Sequence, residues 1–105
     1  MEVKVKEKGS VFEVALTGDI YVDQAEDLVD VFNGIIDKKP QEVIIDISAL
    51  KSITSSGIGK IVLLYKGLQK DKGKVKITGA NDTIMQIFKI VKLDKLVEIE
   101  GTRDR

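Results

Sequence analysis

The chain has 105 residues, of which 43% are hydrophobic and 32% are charged, so its apolar material suffices for one hydrophobic core. Its 17 basic and 17 acidic side chains cancel, which argues against a nucleic-acid or anionic-membrane surface built on net charge. Cysteine and histidine are absent, which excludes disulfides, the usual zinc, haem and iron–sulfur ligands and the commonest general base. We therefore expect a protein that binds other proteins, with no cofactor, no bound metal and no catalytic activity.

The first part of the chain predicts a β-hairpin followed by a helix. Apolar residues alternate with polar ones in residues 2–7 and 11–17, as in strands with one buried face. The apolar residues that come next recur at helical spacing and form one stripe: Ala25, Leu28, Val29, Phe32, Ile35 and Ile36. Asp23 is the expected N-cap of this helix, and Glu26 completes a capping-box pair.

The most informative stretch is residues 43–68, where an apolar run breaks into three adjacent hydroxyls and two glycines before an amphipathic run begins. Residues 43–47 are almost continuously β-branched, which predicts a central strand buried on both faces. The apolar residues that follow have helical spacing: Ile58, Ile61, Val62, Tyr65 and Leu68. The strand therefore gives way to a helix, and we expect Ser55 or Ser56 to begin it.

The rest of the chain predicts a strand over residues 74–78, a third helix capped by Asn81 or Asp82, a short strand over residues 96–99 and a charged tail over residues 101–105. The order ββαβαβαβ predicts an α/β fold: a mostly parallel sheet, an antiparallel first strand, right-handed crossovers and helices packed on the sheet. The residues expected in the core are Leu16, Leu28, Phe32, Ile44, Ile45, Ile61, Val62, Ile77, Ile87 and Phe88.

The adjacent hydroxyls of Thr54, Ser55 and Ser56 allow two interpretations. Thr54 and Ser55 are both good N-cap types, because their oxygens accept hydrogen bonds from the unpaired N–H groups of a first helical turn. The alternative is a modification site. One cap does not need three hydroxyls, Gly57 and Gly59 leave them unshielded, and a helix N-terminus favours the negative charge of a phosphoryl group. Residue spacing alone leaves both interpretations open.

Two further classes of function have weaker support at this junction. A small hydrolase with Ser55 or Ser56 as its nucleophile needs an activating base, and without histidine only Lys51, Lys60 or an acid remains. A nucleotide-binding module is suggested by Gly-Ile-Gly-Lys at residues 57–60. That segment matches neither the Walker spacing nor the dinucleotide fingerprint.

The segment DISALKSITSSGIGKIVLLYK, residues 46–66, resembles the most diagnostic segment of the anti-sigma factor antagonists, the stand-alone STAS domains. In that family a hydrophobic strand ends in Asp, a short loop follows, and Asp-Ser-(Ser/Thr/Ala)-Gly-(Leu/Ile)-Gly opens a helix. The resemblance continues at Leu-Thr-Gly-Asp-Ile, residues 16–20, and at Leu-Asp-Lys-Leu, residues 93–96. It implies one STAS domain over residues 1–105, with the fold order given above.

The resemblance also implies a function by partner switching. An unphosphorylated antagonist binds an anti-sigma factor that is also an ATP-dependent serine kinase, which frees a sigma factor, and phosphorylation of one serine ends the binding. By position that serine is Ser55, with Ser56 as the fallback, and a serine phosphatase is the implied second partner. The implied partner-binding residues are Asp19, Tyr21, Asp23, Thr54, Ser56 and Gly57.

The expected location is the cytoplasm, since the segment MEVKVKEKG is not an apolar signal and no run approaches the length of a membrane span. We expect a monomer or weak dimer without direct contact to nucleic acid or membrane.

Two residues depart from the family pattern. Thr54 stands where the family has Asp before the serine, and Tyr21 stands where the early Gly-Glu-(Leu/Ile)-Asp loop has its second acid. We therefore expect slower phosphorylation than in family members that have both acids. The alternative function is a phosphorylation-independent STAS scaffold or transporter-associated regulatory subunit, which binds through the same face and does not need these acids.

Overall fold

The computed structural model describes residues 1–101. Its elements follow in the order β1 Glu2–Lys8, β2 Val11–Ile20, α1 Val22–Asp37, β3 Glu42–Ile53, α2 Ser55–Gln69, β4 Lys74–Ala80, α3 Asp82–Ile90 and β5 Glu98–Gly101, with a 3-10 turn at Leu93–Lys95. The predicted order ββαβαβαβ is confirmed. The tail predicted for residues 101–105 begins inside β5, and residues 102–105 lie outside the described residues. No helix within residues 1–101 has the length and apolar character needed to cross a membrane.

The five strands form one mixed sheet in the order β1-β2-β3-β4-β5. β1 and β2 are antiparallel, as expected of a hairpin, whereas each later neighbouring pair is parallel and is joined through helical structure. Val14 shows the register at the centre, because it lies between Val5 on β1 and Ile45 on β3. The mostly parallel α/β architecture with an antiparallel first strand is therefore confirmed.

Only one face of the sheet carries the hydrophobic core. Val14, Ile45 and Ile77 are neighbours on adjacent strands, and all three are completely buried in the cluster that includes the buried helix residues. Side chains alternate along a strand, so Ile44 and Asp46 belong to the opposite face, where Ile44 is half-buried and Asp46 is exposed. The prediction that residues 43–47 are buried on both faces is wrong. Within the described residues, the buried helix side chains all join the cluster on the first face.

Most of the predicted core is confirmed: Leu16, Leu28, Phe32, Ile45, Ile61, Ile77 and Phe88 are buried. Ile44, Val62 and Ile87 are only partly buried, so their assignment to the core is wrong. For Val62 and Ile87 the reason is that a helix on a sheet buries only the middle of its apolar stripe and leaves the margins partly open to solvent.

Helix α1 begins earlier than predicted. Its N-cap is Tyr21, and the Gln24 side chain accepts a hydrogen bond from the Tyr21 N–H, with 3.1 Å between N and Oε1. The predicted N-cap Asp23 lies instead in the first helical turn, where the helix dipole favours an acid. The reason is that β2 extends to the completely buried Ile20, so the chain turns into the helix directly after it.

Helix α2 packs closely against α1. A Cβ at Gly67 of α2 would overlap the side chain of Ile36 on α1, so the absence of a side chain at this position permits the close approach. An ion pair of 3.5 Å between Lys60 Nζ and Glu26 Oε2 also joins the two helices. These contacts hold α1 and α2 side by side, with their N-termini at the same edge of the sheet.

Candidate functional site

The predicted site lies where the parallel strands β2 and β3 end. Ile20 and Ile53 are paired at the ends of these strands, and α1 and α2 begin directly after them. The Thr54 N–H donates a hydrogen bond of 3.0 Å to the carbonyl oxygen of Ile20, which ties the two turns together. Two helix N-termini and the segments that lead into them therefore meet at the carboxyl edge of the sheet, a common position for binding sites in α/β folds.

Thr54 is the N-cap of α2, as one of the two interpretations predicted. Its backbone is extended, its Oγ1 accepts a hydrogen bond from the Gly57 N–H at 3.5 Å, and its carbonyl oxygen accepts one from Ile58 at 3.1 Å. Ser55 is then the first residue of the helix and is exposed, whereas Ser56 is half-buried. Within residues 1–101 the Ser55 hydroxyl has no hydrogen-bond partner.

Gly57 has a packing role beneath this surface. It is buried, and a Cβ there would lie 2.8 Å from Ile20 Cγ2 and 2.8 Å from Ile53 Cγ1. Both isoleucines are buried, so neither can move aside without disturbing the core. Gly59 differs from Gly57, because it is exposed and a Cβ there would meet nothing within 4 Å. Of these two glycines, only Gly59 leaves open space at the outer surface of α2.

Asp19 contacts a residue that the sequence did not single out. The Ser52 hydroxyl donates a hydrogen bond to Asp19 Oδ1, with 2.6 Å between the two oxygens, in a partly buried position. The two residues are direct neighbours in the parallel pairing of β2 and β3. The Asp19 carboxylate therefore links the ends of the two strands through this hydrogen bond. Ser52 belongs to the site as its donor.

Exposed apolar side chains flank the turn into α1. Tyr21 is 55% exposed and Val22 is 59% exposed. Tyr21 was a predicted partner-binding residue and Val22 was missed, although its place between Tyr21 and Asp23 at the start of a helix was visible in the sequence. Adjacent exposed apolar residues beside an exposed hydroxyl are suited to contact with another protein.

A metal site in this chain would need a cluster of acidic side chains, because histidine and cysteine are absent. Among residues 1–101 no group of three or more acidic side chains converges in a way that could hold an ion. The chemistry available at the edge is that of a hydroxyl at a helix N-terminus beside apolar and carboxylate side chains.

The protein-family model of the STAS domain matches residues 2–105 of the chain. The chain belongs to the STAS domain family. Solved structures similar to this STAS domain include a candidate anti-sigma factor antagonist from Thermotoga maritima, with 21% identity, a TM-score of 0.86 and coverage of 95% of this chain and 86% of that chain. An anti-sigma factor antagonist from Mycobacterium paratuberculosis is 22% identical, with a TM-score of 0.86 over 96% of this chain and 86% of that chain.

A third similar structure is the Bacillus cell fate determinant SpoIIAA in its phosphorylated form, at 15% identity and a TM-score of 0.76, over 93% of this chain and 90% of that chain. At these identities the likeness shows a common fold. In the STAS domain described here, five of the predicted site residues (Asp19, Tyr21, Asp23, Thr54 and Ser56) lie at the edge formed by the strand ends and helix starts. Gly57 lies beneath it.

Proposed function

We propose that this STAS domain is an anti-sigma factor antagonist that binds an anti-sigma factor with serine kinase activity, releases a sigma factor and is switched off by phosphorylation of Ser55. The observation that carries the proposal is the contrast among four nearby hydroxyls. Ser52 is bonded to Asp19, Thr54 caps α2, and Ser56 is half-buried. Ser55 alone among them is exposed at the surface, where a kinase could reach it.

The position of Ser55 makes a phosphate tolerable for the folded domain. A phosphoserine adds about −1.5 to −2 charges at neutral pH, and a helix N-terminus carries roughly half a positive charge. Helix α2 has no acid in its first turn to repel the phosphate. The modification is therefore expected to leave the fold of the domain intact.

The same phosphate is unfavourable for a docked partner. Tyr21 and Val22 expose apolar surface at the adjacent start of α1, and binding would remove this surface from water. A phosphate on Ser55 would place charge inside or beside that dehydrated contact, where it loses hydration without gaining a counter-charge. Binding energy is thus lost although the fold is kept, which is the behaviour a switch requires.

A binding role also agrees with the surroundings of Ser55. No hydrogen bond within residues 1–101 joins a base to its hydroxyl, and the nearby Lys60 is paired with Glu26 at 3.5 Å. A serine nucleophile needs an adjacent base to activate it. We infer that the domain functions by contact with its partner and performs no chemistry of its own.

The test is mass spectrometry after incubation with ATP and an anti-sigma factor kinase from the same organism. Wild type, Ser55→Ala and Ser56→Ala are compared, the last being the matched hydroxyl one residue away. We expect phosphorylation of wild type and Ser56→Ala and none of Ser55→Ala. In a binding assay, Ser55→Asp should bind the anti-sigma factor less tightly, whereas Ser55→Ala should bind as wild type does.

Two results would contradict the proposal. If Ser56→Ala is the variant that resists the kinase, the modified residue is Ser56. If no variant is modified but all bind the anti-sigma factor equally, the domain is a phosphorylation-independent scaffold.

A further inference from the structure

The two helices beside the candidate site carry opposite charges. All the ionisable side chains of α1 are acidic: Asp23, Glu26, Asp27, Asp30 and Asp37. Those of α2 with a formal charge are basic, Lys60 and Lys66. Each helix ends at a lysine C-cap: Lys70 of α2 takes part in no ion pair within residues 1–101, whereas Lys38 of α1 is paired with Glu7 at 3.2 Å. The net charge of the whole chain is zero, so this separation is invisible in the composition. It creates one acidic and one basic stripe next to each other.

Within residues 1–101, most of these charged side chains have no ion-pair partner. Lys60 pairs with Glu26, but within residues 1–101 Asp27, Asp30, Lys66 and Lys70 take part in no ion pair, and each is exposed. Unpaired charges are ordinary on a protein surface. Their division into one sign per helix is what makes the surface directional.

A groove with an apolar floor separates the two stripes. The groove has a volume of about 520 Å³. The residues that line it include Asn33 and Ile36 from α1 and Gly59, Val62, Leu63 and Lys66 from α2. Leu63 is 36% exposed, although it is a large apolar residue. Because Gly59 has no side chain and no neighbour within 4 Å of a Cβ position, another backbone can approach α2 closely here.

The charge pattern selects the kind of partner that fits. A uniformly acidic segment would be attracted by α2 and repelled by α1, and a uniformly basic one would meet the reverse. A fitting partner must itself present an acidic and a basic stripe side by side. A second copy of this chain, rotated about a two-fold axis, has that pattern by construction.

We propose that this surface, α1 together with α2, is the interface of a symmetric homodimer. The acidic stripe of α1 in one copy faces the basic stripe of α2 in the other, and the reciprocal contact forms by symmetry. Leu63 and the groove lie between the two charged contacts and supply the apolar centre. This inference does not depend on phosphorylation of Ser55.

The interface is expected to be weak and sensitive to salt. Helices of this length at 1.5 Å per residue and a width of about 10 Å offer roughly 500 Å² per copy. That is below the approximately 800 Å² per partner of a standard stable interface, and exposed charge pairs are screened by salt. Charge therefore determines the orientation of the two copies more than their affinity.

The experiment is sedimentation analysis of the whole chain over a concentration series. At about 0.1 M salt we expect a reversible dimer, and at about 1 M salt, where the Debye length falls to ~3 Å, an affinity at least about tenfold lower. Lys66→Glu/Lys70→Glu should be monomeric, and so should Asp27→Lys/Asp30→Lys. The matched control is Lys4→Glu/Lys6→Glu on β1, which has the same charge change as the first variant and should dimerise as wild type does.

Mixing the two monomeric variants gives the decisive measurement. The reversed α1 of one then faces the reversed α2 of the other, so the mixture should form a heterodimer although neither variant dimerises alone. A wild type that stays monomeric at every concentration would overturn the proposal. So would a dimer that survives either charge reversal, or a mixture that remains monomeric while circular dichroism shows that both variants are folded.

Discussion

The hydroxyl of Ser52 and the carboxylate of Asp19 form a hydrogen bond of 2.6 Å across the ends of β3 and β2. This contact lies just before the two turns that contain Tyr21 and Thr54, so it helps to hold both helix starts in place. A hydrogen bond to a charged acceptor is stronger than one between neutral groups. The candidate docking edge thus rests on a polar contact between residues 33 positions apart in the chain.

Removal of this contact should lower stability. We expect Ser52→Ala to reduce the free energy of unfolding by about 1–2 kcal/mol, because the partly buried carboxylate loses its donor. Ser48→Ala is the matched control, since Ser48 lies on the same strand but is exposed, and its effect should stay within about 0.5 kcal/mol. Urea unfolding measures both. Equal losses in the two variants would contradict the role assigned to Ser52.

Substitution by alanine should change the stability of the domain in opposite directions at the two glycines near the start of α2. Gly57→Ala forces a methyl group against the buried Ile20 and Ile53 and should cost about 1–3 kcal/mol. Gly59→Ala meets nothing within 4 Å and should stabilise the helix by up to about 1 kcal/mol. Thermal unfolding followed by circular dichroism distinguishes them. A Gly57→Ala variant as stable as Gly59→Ala would rule out the proposed close packing.

The N-cap of α2 should tolerate an acid in place of Thr54. Thr54→Ala should cost about 1 kcal/mol of stability, whereas Thr54→Ser and Thr54→Asp keep an oxygen that can accept from the first turn and should cost much less. Thr54→Asp also introduces the acid typical of the family, so it should raise the initial rate of Ser55 phosphorylation above that of wild type. Unchanged rates for Thr54→Ser and Thr54→Asp alike would show that this acid does not assist the kinase.

The ion pair between Lys76 and Glu100 should make the stability of the domain depend on pH in the alkaline range. Glu100, 3.0 Å from the Lys76 ammonium, hydrogen-bonds to it, and with Glu98 at 3.9 Å it raises the pKa of Lys76 above the ordinary 10.5. A raised pKa in the folded state means that the charged pair stabilises the fold at pH values below 10.5. That contribution is lost as the pH rises through the folded-state pKa.

Lys76→Met should therefore be less stable than wild type by the same amount at about pH 7 and about pH 9, and the difference should shrink above the ordinary lysine pKa. Urea unfolding at each pH gives this difference. Lys74→Met, on the same strand and outside the ion pairs found in residues 1–101, is the control and should show no such trend. A gap between wild type and Lys76→Met that widens at high pH would contradict the assigned sign.

Local features of the sequence were sufficient for the order of elements and reduced the candidate caps of two helices to two neighbouring residues each. The change from β-branched residues at 43–47 to helical spacing after Ile58 marks a strand and a helix whatever packs around them. Thr54 caps α2 and Asn81 caps α3, each being one of the two neighbouring residues that the sequence left open as the cap, and each accepts from a backbone N–H three residues ahead. The family pattern spans the same junction, so the sequence by itself points to Ser55.

Contacts between distant residues were decided only by the tertiary structure. Side-chain alternation places Ile44 opposite Ile45, but whether that second face is covered depends on where the helices pack. The contact of Ser52 with Asp19 depends on the register of β2 and β3, which includes irregularities between Ala15 and Thr17 and between Gly18 and Asp19. A single shifted residue would turn these side chains to the other face, and local propensity does not encode such a shift. Periodicity therefore determines which elements form, and packing and register determine which of their residues meet.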